Sequence, residues 1–277
     1  MDIRKSVVAG KFYEDSAEKL IVQIENCFTD SLLGPGTKSF SNHKIKGAIV
    51  PHAGYFFSGP VAAHAYRYLS PENYQNPVFY IISPNHTGKG GPISLSSSDY
   101  WQTPLGNVPV NKEIVEELSK LKRFEINNQA HLFEHSVEVH LPFLQYIFSS
   151  SKFSIVPITI SLMDINFIID FSDAIGDFLN RPESIFLISS DFSHYVSKKY
   201  AYEKDLKAIE HILKNERIAF SKFVLKNSMS ICGTDPILSI IKYSSEKNLK
   251  PELLKYATSG DVIEMEHVVG YASIIYQ

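Results

Sequence analysis

Cysteine is almost absent from this 277-residue chain: Cys27 and Cys232 are the two it has, at no metal-knuckle or redox-motif spacing. That excludes a disulfide scaffold and makes a reducing cytoplasm the expected location. An excess of one charge is lacking too. Lys and Arg number 27 against 30 Asp and Glu, a net charge of −3 with no basic stripe. Proteins that bind nucleic acid carry such a stripe, because neutralised phosphates supply most of their affinity, so no nucleic-acid partner is expected. No apolar run approaches the roughly 18 residues that span a bilayer. Met1 to Lys5 leads into no apolar leader core, and no membrane association is expected. Neither a GxGxxG nor a P-loop occurs, and Gly88-Lys89-Gly90-Gly91 lacks the Lys-Ser/Thr pair that engages a nucleotide.

What the chain does have is apolar residues enough for a core, 44% of the total, which rules out wholesale disorder. At roughly 150 residues per domain the length allows one large or two modest domains. With no repeat or long linker, we take 1–277 as a single domain. Residues 45–50, 78–82, 153–160 and 184–189 read as buried strands, and 254–258 and 268–276 as two closing strands. Helices are expected after an Asp15/Glu18 capping box, after Ser58 with Pro60 in the first turn, and after Asn111. Others are expected over 134–148, kinked or begun by Pro142, and over 164–179. The stretch 200–247 reads as helical with a break near Cys232-Gly233, and 92–110 as irregular or short β. Continuous apolar strands alternating with amphipathic helices predict an α/β layered sandwich, with a central, largely parallel or mixed sheet and helices on both faces.

Ligands of open α/β sheets bind beyond the carboxyl ends of the strands. Three predicted strands end in Pro51-His52, Ser83-Pro84-Asn85-His86 and Ser190-Asp191-Phe192-Ser193-His194. Two neutral imidazoles from different strands make half of a mononuclear transition-metal site. A third donor should be anionic to offset a dication, and Cys232 suits, in a predicted turn where Gly233 permits close backbone approach. Asp191 and His194 would lie beside it, placed to orient a water or move a proton. Blander readings stand beside these. A strand-end histidine often just bonds a backbone carbonyl, and Cys27 reads as an inert core residue on its helix face. Glu134, His135 and Glu138 share one side of the expected helix, as a solvated face or as support for a metal ligand; this is not the His-Glu-x-x-His pattern. Tyr55-Phe56-Phe57 and Tyr100-Trp101 read as core or rim packing, or as an aromatic pocket.

Taken in order, Val7-Val8-Ala9-Gly10-Lys11-Phe12-Tyr13, Pro51-His52-Ala53-Gly54-Tyr55, Ser83-Pro84-Asn85-His86, Glu134 to Pro142, Ser189 to Tyr195 and Ile231-Cys232-Gly233 resemble the MEMO family. Its bacterial and archaeal members are also called AmmeMemoRadiSam system protein B. Ser6 and Glu14 stand where relatives often have proline, a departure confined to the N-terminal path. The resemblance implies a fold similar to the class III (LigB-type) extradiol dioxygenases, in which two histidines and a carboxylate hold non-haem iron. MEMO-like proteins have a cysteine in the third place. Matched by motif, the implied ligands are His52, His86 and Cys232, with Asp191 and His194 lining the same pocket. The implied cofactor is iron or copper, with zinc acquired on purification. The implied partners are an AMMECR1-type protein and a radical SAM enzyme, besides a small-molecule or peptide ligand. A thiolate is softer than a carboxylate and is oxidisable, so catechol cleavage does not follow from the fold.

Three functions are thereby set out. The first is a metal-dependent redox protein with His194 as acid/base and Asp191 orienting it. The second is a metal-free thiol enzyme with Cys232 activated by His194. The third is a binding or adaptor protein on a dioxygenase-like scaffold. Eukaryotic relatives are regarded as motility mediators that engage phosphotyrosine peptides, a role for which a chain with no Arg cluster is poorly equipped.

Overall fold

A computed structural model describes residues 1–149, 151–161 and 165–277, and the side chains of all of these except 165 and 166. The first residue of the helix expected over 164–179 lies outside this range. In chain order the elements are β1 (Ile3–Arg4), α1 (Ala17–Thr29), β2 (Gly47–Val50), α2 (Tyr55–Tyr66), β3 (Val78–Pro84), β4 (Ile93–Leu95), β5 (Tyr100–Thr103) and β6 (Gly106–Pro109). They continue with α3 (Lys112–Ser119), β7 (Phe124–Ile126), α4 (Asn128–His131), a 3-10 turn at Glu138–His140, α5 (Leu141–Ile147), β8 (Ser154–Ile160) and α6 (Ile165–Leu179). The chain closes with β9 (Ser184–Ser189), β10 (His194–Val196), α7 (Lys198–Leu213), α8 (Arg217–Lys226), α9 (Thr234–Lys247), β11 (Pro251–Thr258), a 3-10 turn at Ser259–Asp261 and β12 (Val268–Tyr276).

The fold is α/β around a mixed sheet. Its path runs β10-β12-β2-β9-β3-β8-β4-β7, with β11 also paired to β12. β2, β9, β3 and β8 are mutually parallel, whereas β12 joins β2 and β4 joins β8 antiparallel. Every residue of β2 and β9 is buried, as a strand covered on both faces requires. Helices α1, α2 and α5 pack together, with α2 against β2 and β12. A second group, α6, α8 and α9, packs together, with α9 against β3 and β9. A separate three-stranded sheet, β1-β5-β6, carries the N-terminal strand. Because the four central strands run the same way, the segments after Val50, Pro84 and Ser189 emerge at one edge. That edge holds the site.

Several local expectations are corrected. Ser16, not Asp15, caps α1, its hydroxyl accepting the Lys19 N–H. α2 begins at Tyr55, three residues before Ser58, whose hydroxyl instead donates to the Ala53 carbonyl at 2.9 Å. Pro60 therefore sits inside the helix. The expected helix over 134–148 is regular only from Leu141, with Pro142 in its first turn; before it come turns and the 3-10 segment. The irregular stretch 92–110 contains β4 and the β5–β6 hairpin.

Candidate metal centre

Three histidines meet at the carboxyl edge. His52 follows β2, His86 follows β3, and His135 comes from the irregular segment ahead of α5. One ligand nitrogen from each lies within 4.8 Å of the others. The His52 ring stands edge-on to both neighbours, at 5.2 Å from His86 and 5.4 Å from His135. The His86 and His135 rings stack at 4.9 Å, and Phe12 packs on the His135 ring. The tight cluster is thus three imidazoles in place of the expected His-His-Cys set. Cys232 lies beside it, its sulfur 3.2 Å from His52 Nε2.

Hydrogen bonds decide which nitrogens are free. The Ser189 hydroxyl has one proton, and it donates that proton to the Ser136 carbonyl at 2.7 Å. Its remaining contacts, His52 Nδ1 at 2.6 Å and His140 Nε2 at 2.8 Å, must then be imidazole N–H donors. His52 is left with its lone pair on Nε2, facing Cys232. The same logic puts a proton on His140 Nε2, and its Nδ1 accepts from the Tyr66 hydroxyl at 2.6 Å. His86 is set by a carboxylate instead: its Nδ1–H donates to Glu134 at 2.9 Å and its backbone N–H at 2.7 Å, which leaves Nε2 free. An imidazole fixed by a carboxylate behind it is the usual support of a metal ligand.

Glu134 is wholly buried and accepts from five donors, the other three being the backbone N–H groups of His135 and Ser136 and the Ser136 hydroxyl. Burial works against its charge, but the His86 hydrogen bond and the remaining donors outweigh that and hold the carboxyl down at about 2. On the partner, burial opposes the imidazolium and Glu134 overcomes it, so His86 is raised. Burial and the neighbouring imidazoles push His52 well down, and burial also lowers His135 and takes His140 to about 3. Neutral imidazole is the ligating form.

The segment bearing Glu134 and His135 is held from below. Arg4, buried, pairs with buried Glu138, donates to the Glu134 carbonyl at 2.6 Å and to the His131 carbonyl at 3.1 Å, and lies over Trp101. Glu138 also accepts the backbone N–H groups of Val7 and Val8 and the Tyr13 hydroxyl. Of the two readings of Glu134 and Glu138, the solvated face is corrected: both carboxylates are interior. Trp101 and Tyr55 are core residues, while Phe56 is 61% exposed.

Asp191 and His194 follow β9 as expected, but they act on different partners. Asp191 is buried; its carboxylate accepts the His52 backbone N–H at 2.8 Å and comes within 4.0 Å of His52 Nε2. Burial raises it to about 6, against the pull of that hydrogen bond and of His194. His194 lies at the exposed rim, its Nδ1 bonded to the Ser230 carbonyl at 2.8 Å. Cys232 accepts the Asp191 backbone N–H at 3.1 Å. Gly233 makes that approach possible: a Cβ there would meet Ser190 Cβ at 2.4 Å and the Ser189 carbonyl at 2.8 Å. Burial, then the Asp191 charge, pushes the Cys232 thiol far up. A metal-free nucleophile needs the opposite, a thiol lowered by its surroundings. Cys27 is buried, burial pushing its thiol up to about 12, as an inert core cysteine should be.

A pocket of about 490 Å³ opens on this edge, with His86 and Cys232 in its wall and apolar side chains of α6, α8 and α9 around them.

Fold and site together define an α/β protein with a buried imidazole cluster, flanked by one thiol, at the carboxyl edge of a mixed sheet. A profile described as Memo-like protein matches residues 4–275. The chain is 39% identical to a MEMO1 family protein of Sulfurisphaera tokodaii, with 98% of each chain covered. It is 40% identical to one of Metallosphaera sedula, with 97% of each covered, and 38% identical to one of Thermotoga neapolitana, with 99% of each covered. The chain belongs to the Memo-like family.

The site residue that sequence reading undervalued is His135. It was visible within Glu134-His135-Ser136, but the expected regular helix placed it as a companion of the carboxylates, not as a member of the histidine cluster. No helix among the described residues is long and apolar enough to cross a membrane.

Proposed function

We propose that this chain binds one transition-metal ion, iron or copper, at the imidazole cluster, and that the site carries out redox chemistry on a small molecule. His52 and His86 would donate through Nε2, Cys232 would supply the anionic sulfur, and His135 would face the position left open. The donor chemistry fits: imidazole and thiolate select transition metals over magnesium or calcium. For one pair the spacing supports this set. Bonds of roughly 2.0–2.3 Å separate neighbouring donors by about 3–4 Å, and the sulfur is 3.2 Å from His52 Nε2. The tight group of donors is the three imidazoles, so Cys232 would close on an ion held by them. The observation that carries the reading is the convergence of three imidazoles within 4.8 Å, two of them aimed by Ser189 and Glu134.

The bound ion would supply Lewis acidity and one-electron chemistry. The protein's own part is orientation and proton handling. Ser189 and Glu134 hold protons on the Nδ1 atoms of His52 and His86 and keep the Nε2 atoms available. Asp191, raised to about 6, can hold or release a proton near neutral pH beside His52. His194, anchored by Ser230 at the rim, is the second acid/base group.

Metal analysis of protein prepared without oxygen tests the proposal. The wild type should carry about one ion per chain. His52→Ala and His86→Ala should carry almost none, and Cys232→Ser should bind more weakly. Near-stoichiometric metal in His52→Ala, or wild-type affinity in Cys232→Ser, would overturn the assignment.

A further inference from the structure

The pocket beside His86 and Cys232 differs from the site it adjoins. Its volume of about 490 Å³ lies in the range that encloses a small organic molecule. Most of its wall is aliphatic: Ile168 from α6, Val224 from α8, Pro236 and Leu238 from α9, and Met229 and Ile231 from the connection between α8 and α9. Leu225, 74% exposed, stands in the wall as well.

The polar groups of the wall are mostly committed elsewhere. The Asn85 side-chain amide donates to the Lys89 carbonyl and the Ser161 hydroxyl, and its oxygen accepts the N–H groups of Thr87 and Gly88. The Thr234 hydroxyl donates to the Ile231 carbonyl at 2.7 Å. None of the described residues lining the pocket is Lys or Arg, whereas Asp235 is there. An anionic group placed among these side chains would lose its water and find no Lys or Arg, and the His86 imidazole in the wall is already paired with Glu134.

We propose that this pocket admits a small molecule with a continuous apolar body that is uncharged or cationic, and that it discriminates against anionic compounds. The inference rests on the reading of this edge as the reactive site, and adds the chemical class of what enters it. A carboxylate or phosphate ester is disfavoured by the walls of the metal-free pocket. The reacting end of the ligand meets His86 and Cys232, while its body lies against α8 and α9.

The test uses three probes of one shape: 3-phenylpropan-1-ol, 3-phenylpropylamine and 3-phenylpropanoate. Each is titrated into the full chain after chelator treatment at pH 7.5, and binding is read by ligand-observed NMR. The alcohol and the amine should saturate, and the carboxylate should bind at least about tenfold more weakly. Met229→Trp, which fills the pocket, should weaken the alcohol by about tenfold or more. Should Met229→Trp melt early, Leu225→Trp at the wall supplies the same block from an exposed position. Equal binding of the carboxylate, no saturable binding of the alcohol and amine, or indifference of the alcohol to both tryptophans would overturn the proposal. Metal content measured on the untreated sample keeps the two readings apart. Probe binding without metal sinks the metal reading alone, and metal without probe binding sinks this one alone.

Discussion

Replacing Glu134 by Gln removes one charge from the middle of the site at almost no change in shape. The carboxylate accepts from five donors while fully buried. Four of the contacts fall on Oε1, and the His86 backbone N–H takes Oε2. A glutamine can match Oε1, but its NH2 must then face the His86 N–H, donor against donor. Orphaning one buried donor costs about 1–3 kcal/mol. The titration gives an independent scale: a carboxyl held at about 2 against an ordinary 4.5 is stabilised in its charged form by about 3 kcal/mol. Because the folded value lies below the unfolded one, that contribution is complete above about pH 4.5 and fades as the pH falls towards 2. Urea unfolding of the metal-free protein should therefore show Glu134→Gln less stable by about 3 kcal/mol at pH 7, with the gap closing between pH 4.5 and pH 2. Metal affinity should fall about 10–100-fold, since His86 loses its orienting partner. A gap that stays constant down to pH 3, or unchanged metal affinity, would refute the role given to Glu134.

Three further outcomes follow from the same geometry. Gly233→Ala drives a methyl group into Ser190 and the Ser189 carbonyl, so it should cost about 1–3 kcal/mol and lower metal affinity by moving Cys232; thermal melts and metal titration read both effects. Arg4→Met strands the Glu138 carboxylate in the interior and releases the Glu134 carbonyl, and should destabilise by about 3–5 kcal/mol in denaturant unfolding. In metal-free protein Cys232 should alkylate more slowly than free cysteine at pH 8 and accelerate as the pH rises, as burial and Asp191 demand; fast alkylation at neutral pH would restore the thiol-enzyme reading.

The central strands were legible because they are apolar along their whole length. Residues 184–189 and 268–276 coincide with β9 and β12, and 78–82 and 153–160 differ from β3 and β8 by one or two residues at an end. What periodicity does not contain is the short structure. β7 and β10 have three residues each, too few to set a pattern, and β10 exists only because His194 and Val196 pair with β12. The carboxyl-edge rule located His52, His86, Asp191 and His194, because strand ends can be read one strand at a time. His135 escaped it, since its position depends on Arg4 and Glu138 drawing an irregular segment under the sheet edge, a contact between residues more than 130 apart in sequence. Glu134 and Glu138 misled for a related reason: charged residues belong in solvent by default, and only a convergence of distant donors can reverse that.

The most direct test is anomalous diffraction from crystals of the iron- or copper-loaded protein, recorded at the metal edge. One peak should lie among His52, His86 and Cys232, with His135 adjacent, and the peak should be absent from His86→Ala crystals prepared alike. A loaded crystal with no density there, or with the ion bound elsewhere on the chain, would contradict the account.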